Sequence, residues 1–169
     1  MGYTNYWSWK TPIADESKFA AWSRDVRQLI DYLTTPGREL PGYIYQFDPP
    51  DRAKRPYKIC DPDGWGEPEI TSTVVAFNGD ASVEDDHEPF IITLQDLETP
   101  NTFAFCKTVM NPYDLLVISS LVRFAHYFPA TRLWSDGEEE AITMGLTICR
   151  KVFDENSMPL LMEGDIFPE

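Results

Sequence analysis

A chain of 169 residues has the size of one ordinary domain, and an apolar share of 43% with ten Phe, eight Tyr and five Trp excludes disorder throughout. Twenty-eight acidic side chains against fourteen basic ones leave a formal charge of −14, which argues against phosphate backbones and anionic membranes and predicts no direct nucleic acid binding. No apolar run reaches the roughly 18 to 20 residues of a membrane span, since even Leu115 to Phe128 is interrupted by Ser119, Ser120, Arg123 and His126.

In chain order, Tyr3 to Trp9 alternates polar and aromatic residues, with Tyr6 out of phase, and predicts a first strand. From Asp15 to Thr34 the apolar residues Phe19, Trp22, Val26, Leu29, Ile30 and Leu33 recur at helical intervals; Asp15 or Ser17 can cap this helix and Pro36-Gly37 stops it. Residues 37–68 are dense in Pro, Gly and charge and read as a long loop or lid, carrying a basic cluster of Arg52, Lys54, Arg55 and Lys58. Strand-like runs follow at Ile70 to Phe77, Phe90 to Leu97 and Thr102 to Lys107, which predict an antiparallel meander, with Asn78-Gly79 as a hairpin-turn signal.

Asn111-Pro112-Tyr113-Asp114 predicts a helix start with Asn111 as the cap, and the helix to about Phe128 is apolar nearly all round, so it belongs at the centre. Thr131 to Trp134 predicts a short strand, and Ser135-Asp136-Gly137 leads into a third helix to about Phe153 with three glutamates in its first turn. Residues 157–169 read as a loosely packed tail. The expected architecture is a single α+β domain, 1–169, with a mostly antiparallel sheet of about five strands and three helices packed on it.

Cys60, Cys106 and Cys149 are far apart and lack C-x-x-C pairing, which predicts structural thiols rather than a disulfide framework. With no basic start or apolar body of a secretory signal at the N-terminus, a cytoplasmic location is expected. His87 and His126 have no partner at metal-ligand spacing, Asp80, Asp114 and Asp136 lack D-x-D or calcium-loop spacing, and no Walker or G-x-G-x-x-G pattern occurs, so neither metal nor cofactor is expected.

Four clusters carry unusual local chemistry: Gly2-Tyr3-Thr4-Asn5-Tyr6-Trp7, Phe77-Asn78-Gly79-Asp80, Cys106-Lys107-Thr108 with Pro112-Tyr113-Asp114, and Trp134-Ser135-Asp136-Gly137. All but the first stand where a strand gives way to a turn or helix, the usual place for a grafted site. Convergence of these junctions would gather Asp80, Asp114 and Asp136 around Lys107, with Tyr3, Trp7, Tyr113 and Trp134 as aromatic walls and Asn78, Thr108 and Ser135 as polar contacts. Such a pocket would split carboxylate pKa values and let one act as acid or base while Lys107 met developing negative charge. The expectation is a small cofactor-independent enzyme for a polar small molecule, cationic ones included. The alternative is a non-catalytic acidic binding module that engages a basic protein surface or mimics nucleic acid.

The same clusters resemble a family of small microbial and phage-encoded proteins with G-Y-T-x-Y-W, F-N-G-D, K-T-x-x-x-P-Y-D and S-D-G blocks in this order. Asn5 stands where the family pattern often has His, and Asn111 where it has a basic residue. The resemblance implies candidate positions and brings no activity.

Overall fold

The alternation of the N-terminal segment becomes strand β1, Thr4–Trp9, in a computed structural model that describes residues 3–36 and 57–154. Trp7 and Trp9 are buried on one side of its pleat. Helix α1, Glu16–Thr34, starts where Asp15 accepts the Lys18 N–H at 3.0 Å, and its buried stripe of Phe19, Trp22, Val26, Leu29 and Leu33 faces inward. Ile30, expected on that stripe, is only half-buried.

The expected single sheet of about five strands is corrected to two antiparallel sheets of three strands each. Strands β2 (Glu69–Ile70), β3 (Val74–Phe77) and β4 (Phe90–Thr93) form one sheet in the order β2-β3-β4. The run Ile70 to Phe77 is broken because the Thr71 hydroxyl accepts the N–H groups of Thr73 and Val74 at 3.3 and 3.0 Å, closing a turn inside it. A 3-10 turn, Gln95–Glu98, ends the next run early. Strand β5, Thr102–Lys107, therefore leaves the expected meander and pairs with β1 instead. Strand β6, Arg132–Ser135, flanks the other side of β1, giving the order β5-β1-β6.

Helix α2, Asp114–Tyr127, is the central element: all its residues from Asp114 to Ala125 are buried. It packs against α1, β1, β6 and α3 (Glu138–Val152). Gly145 of α3 permits that approach, since a Cβ there would lie 3.0 Å from the Ile118 carbonyl oxygen. The expected Asn111 cap is corrected: the Asn111 amide donates to the Asp86 carbonyl at 2.9 Å, and the helix is entered through a tight turn over Asn111 to Tyr113. One apolar cluster joins residues from every strand and helix. No described helix is long and apolar enough to cross a membrane.

Of the expected excursion, residues 37–56, with Arg52, Lys54 and Arg55, lie outside the described residues, as does the expected tail. Residues 57–68 belong to the packed body. Ile59 and Cys60 are buried, Cys60 exchanges both backbone hydrogen bonds with Asn78 at 2.9 Å, and the Tyr57 hydroxyl donates to the Pro112 carbonyl at 2.7 Å.

Candidate functional site

Strand β1 runs between Lys107-Cys106 of β5 and Ser135 of β6, so Asn5 has Cys106 and Ser135 as its register partners. Asn5 points to the same side as Trp7 and Trp9, into the protein, and is fully buried. There its amide donates to Asp114 Oδ1 at 2.6 Å, and the Thr108 hydroxyl donates to the same oxygen at 2.6 Å. Asp114 is 1% exposed, so it sits inside the protein at the first turn of α2 and ties β1, the end of β5 and the helix together. Asn5 Oδ1 is buried with no hydrogen-bond partner.

Beside this knot, the Tyr113 hydroxyl donates to the Glu88 carbonyl at 2.7 Å, and burial pushes its phenol well above the ordinary range. Burial likewise pushes the Cys106 thiol far up, with the Asp114 carboxylate adding to it, so Cys106 is a neutral packing group rather than a nucleophile. Among the described residues no cluster of three or more His, Cys, Asp or Glu side chains has a metal-binding arrangement.

On the opposite side of the pleat, Thr4 is the register partner of Lys107 and exchanges bonds with Asp136. Asp136 Oδ2 accepts the Thr4 N–H at 2.9 Å, its Oδ1 accepts the Tyr6 hydroxyl at 3.2 Å, and its own N–H donates to the Thr4 carbonyl at 3.0 Å. The Ser135 hydroxyl accepts the Gly137 N–H at 3.1 Å. Tyr3 lies so close to Gly137 that a Cβ there would stand 2.1 Å from the phenol oxygen.

The structure thus brings Asn5, Thr108, Asp114, Lys107, Ser135 and Asp136 to one end of the β5-β1-β6 sheet, but its pleat divides them. Asp114 is inside and Asp136 with Lys107 is outside. Asp80 belongs to the other sheet's exit loop, where it accepts the Ser82 hydroxyl at 2.6 Å and the Ser82 N–H at 3.0 Å and lies 3.6 Å from the Lys58 ammonium. The Ser82 hydroxyl is the main reason its carboxyl sits below the usual range, and the Ser82 N–H and Lys58 reinforce it. Asn78 holds the same loop: its amide donates to the Pro62 and His87 carbonyls at 3.0 Å, and its oxygen accepts the Gly79 and His87 N–H groups at 2.8 and 3.1 Å. Trp7, expected as a substrate wall, is turned inward against Phe90, 5.3 Å between ring centroids.

Trp134 belongs to a feature missed in the sequence reading. The outer face of β5-β1-β6 carries Tyr6, Phe103, Phe105 and Trp134; Phe105, Tyr6 and Trp134 are cross-strand neighbours in one row. Phe103 is 57% and Phe105 53% exposed. Tyr6 and Trp134 lie 5.4 Å apart with planes 8° from parallel, and Phe103 is 5.7 Å from Trp134 and 6.2 Å from Tyr6. Beyond them, Ser8, Lys10, Asn101, Arg132 and Trp134 line an open hollow of about 380 Å³. The available signal was the out-of-phase Tyr6 together with Phe103 and Phe105, which alternate with the small Ala104 and Cys106.

Comparison of the chain with protein-family models, curated proteins and solved structures finds no match.

Proposed function

We propose that this protein is a non-catalytic binding module that docks its partner on the outer face of the β5-β1-β6 sheet. The observation that carries the reading is the array of four neighbouring rings, two of them more than half exposed, on a sheet face that no described element covers. Burying the exposed parts of Phe103 and Phe105 would stabilise a complex by roughly 25 cal/mol for each Å² removed from water, and a folded chain gains nothing from leaving two such rings in solvent. The face is rigid, because each strand in it is fixed by a ladder and the helices hold it from behind.

A photo-crosslinker tests this without knowledge of the partner. Benzoylphenylalanine in place of Phe103 should give a defined adduct in cells, and the same group in place of Trp65, an exposed ring in the 61–66 turn, should not. Absence of an adduct at 103, or the same adduct from both positions, would overturn the reading.

The acid–base reading has a narrower basis. Asp136 with Glu138, Glu139 and Glu140 borders an open acidic hollow at the start of α3 that suits a cationic small molecule, with Lys107 two strands away on the same face. The carboxylates it would use are engaged in structure: Asp80 in its turn, Asp114 in the buried knot and Asp136 on Thr4 and Tyr6. Loss of turnover in Asp136→Asn, once a substrate is in hand, would favour this reading over docking.

A further inference from the structure

We propose that the outer face of the β5-β1-β6 sheet binds single-stranded nucleic acid, with bases stacked on Tyr6, Phe103, Phe105 and Trp134 and phosphates met by Lys10, Lys107 and Arg132. This rests on the reading of that face as a docking surface and names the occupant.

The first observation is the geometry of the rings. Every base has a π-face, so neighbouring aromatic side chains on adjacent strands make a platform that accepts successive bases whatever their identity. Here three rings form a cross-strand row and Phe103 extends it along β5, with centroid spacings of 5.4 to 6.4 Å.

The second is the local charge, which runs against the −14 of the whole chain. The pleat that exposes Phe103 and Phe105 also turns Lys107 outward, and Arg132 is the register partner of Ser8 on the same side. Lys10 follows at the mouth of the hollow beside Trp134. None of these three cations has an ion-pair partner among the described residues. Carboxylates border the platform at one end only: Glu88 Oε2 accepts the Lys107 N–H at 2.8 Å and Asp136, which accepts from Thr4 and Tyr6, leads into the acidic hollow of Glu138 to Glu140, while Lys10 and Arg132 stand at the other end beside the hollow next to Trp134. At physiological salt a charge is felt over about 8 Å, so carboxylates elsewhere on the chain are screened while these cations act at contact.

The same numbers select a single strand. A duplex hides its base faces and brings dense phosphate toward an acidic protein; an acidic peptide brings charge without ring faces; a second copy would set one cationic rim against another.

The test is fluorescence anisotropy of a labelled deoxythymidine oligomer of about twelve nucleotides with the full chain, a length that covers one stacking platform. Saturable binding is expected, weakened roughly five- to hundredfold by Phe103→Ala and by Trp134→Ala, because that is the worth of a stacked base. Phe103→Ala, being mostly exposed, keeps the wild-type melting curve. Three cations at about 0.7 each give a log–log salt slope no steeper than about −2, so affinity falls no more than about 20-fold between 50 and 200 mM salt. Lys107→Ala with Arg132→Ala flattens that slope.

No anisotropy change at 50 mM salt, binding untouched by Phe103→Ala, or equal binding of a duplex or of a glutamate–tyrosine copolymer would overturn the proposal. A protein adduct at position 103 with no oligomer binding leaves the docking surface standing and removes nucleic acid as its occupant. Failure of both experiments removes both.

Discussion

Gly79→Ala removes no contact, yet it should be among the most damaging changes in this chain. A Cβ at position 79 would stand 2.0 Å from the Asp85 carbonyl oxygen and 2.7 Å from its carbon, both backbone atoms. That peptide cannot simply swing away. Asp85 donates to the Asp80 carbonyl at 3.0 Å, the Asp86 carbonyl accepts the Asn111 amide at 2.9 Å, and Asn78 clasps both the N–H and the carbonyl of His87. Overpacking costs about 1 to 3 kcal/mol, and surrender of one Asn78–His87 bond adds about 1 kcal/mol, for a total of about 2 to 4 kcal/mol. With a urea m-value of about 2 kcal/mol/M, the denaturation midpoint should fall by about 1 to 2 M. Gly66→Ala is the milder comparison: its Cβ would stand 2.5 Å from the Asp61 carboxylate, a side chain rather than backbone, which can yield by giving up the Trp65 N–H it accepts at 3.0 Å. It should cost about 1 kcal/mol, the worth of that bond. Equal midpoints for wild type and Gly79→Ala would refute the argument that this glycine is demanded by backbone approach.

Asp114→Ala should cost about 2 to 5 kcal/mol in urea denaturation, because the Asn5 amide and the Thr108 hydroxyl would both lose a buried acceptor. A loss of only about 0.3 to 1 kcal/mol would mean that the carboxylate acts merely on the helix dipole. Leu116→Ala and Leu121→Ala, both at fully buried positions, should each destabilise by about 2 to 5 kcal/mol, and wild-type midpoints would contradict the central place of α2. For Asp80 the folded pKa lies below the unfolded value of about 3.9, so its ionisation contributes stability above that value, and the contribution is lost as pH falls through the folded pKa. Asp80→Asn should therefore be less stable than wild type at pH 7, with the gap closing below about pH 4; a gap independent of pH would contradict the charge assignment.

What could be read from the sequence was whatever is encoded locally. The stripe of α1 and the all-round apolarity of α2 follow from three- and four-residue spacing, and both helices appear within a few residues of the expected bounds. The sheet arrangement was not legible. The partner of β5 is β1, roughly a hundred residues earlier, and no local signal distinguishes that pairing from one with β4. Asn78-Gly79 suggested a hairpin turn because the dipeptide favours positive φ, but Gly79 has no positive φ and serves close packing instead.

The candidate site was legible in part for the same reason. Lys107, Asp114 and Asp136 lie at one sheet end, but Asp80 sits in the loop of the other sheet, the pleat assigns Asp114 and Asp136 to opposite faces, and a one-residue alternation in the sequence does not say which face is buried. That ambiguity also concealed Phe103 and Phe105, since an alternating Phe-Ala-Phe-Cys run reads equally well with the rings inward.

The most direct measurement of the central claim is a titration of the full chain with the deoxythymidine oligomer, followed by aromatic proton–carbon NMR. Binding on the outer face predicts shifts at the rings of Tyr6, Phe103, Phe105 and Trp134 while the inward rings of Trp7, Trp22 and Tyr113 stay in place. An unchanged spectrum, or shifts confined to Tyr113 and the inner end of the sheet around Asp114, would contradict it.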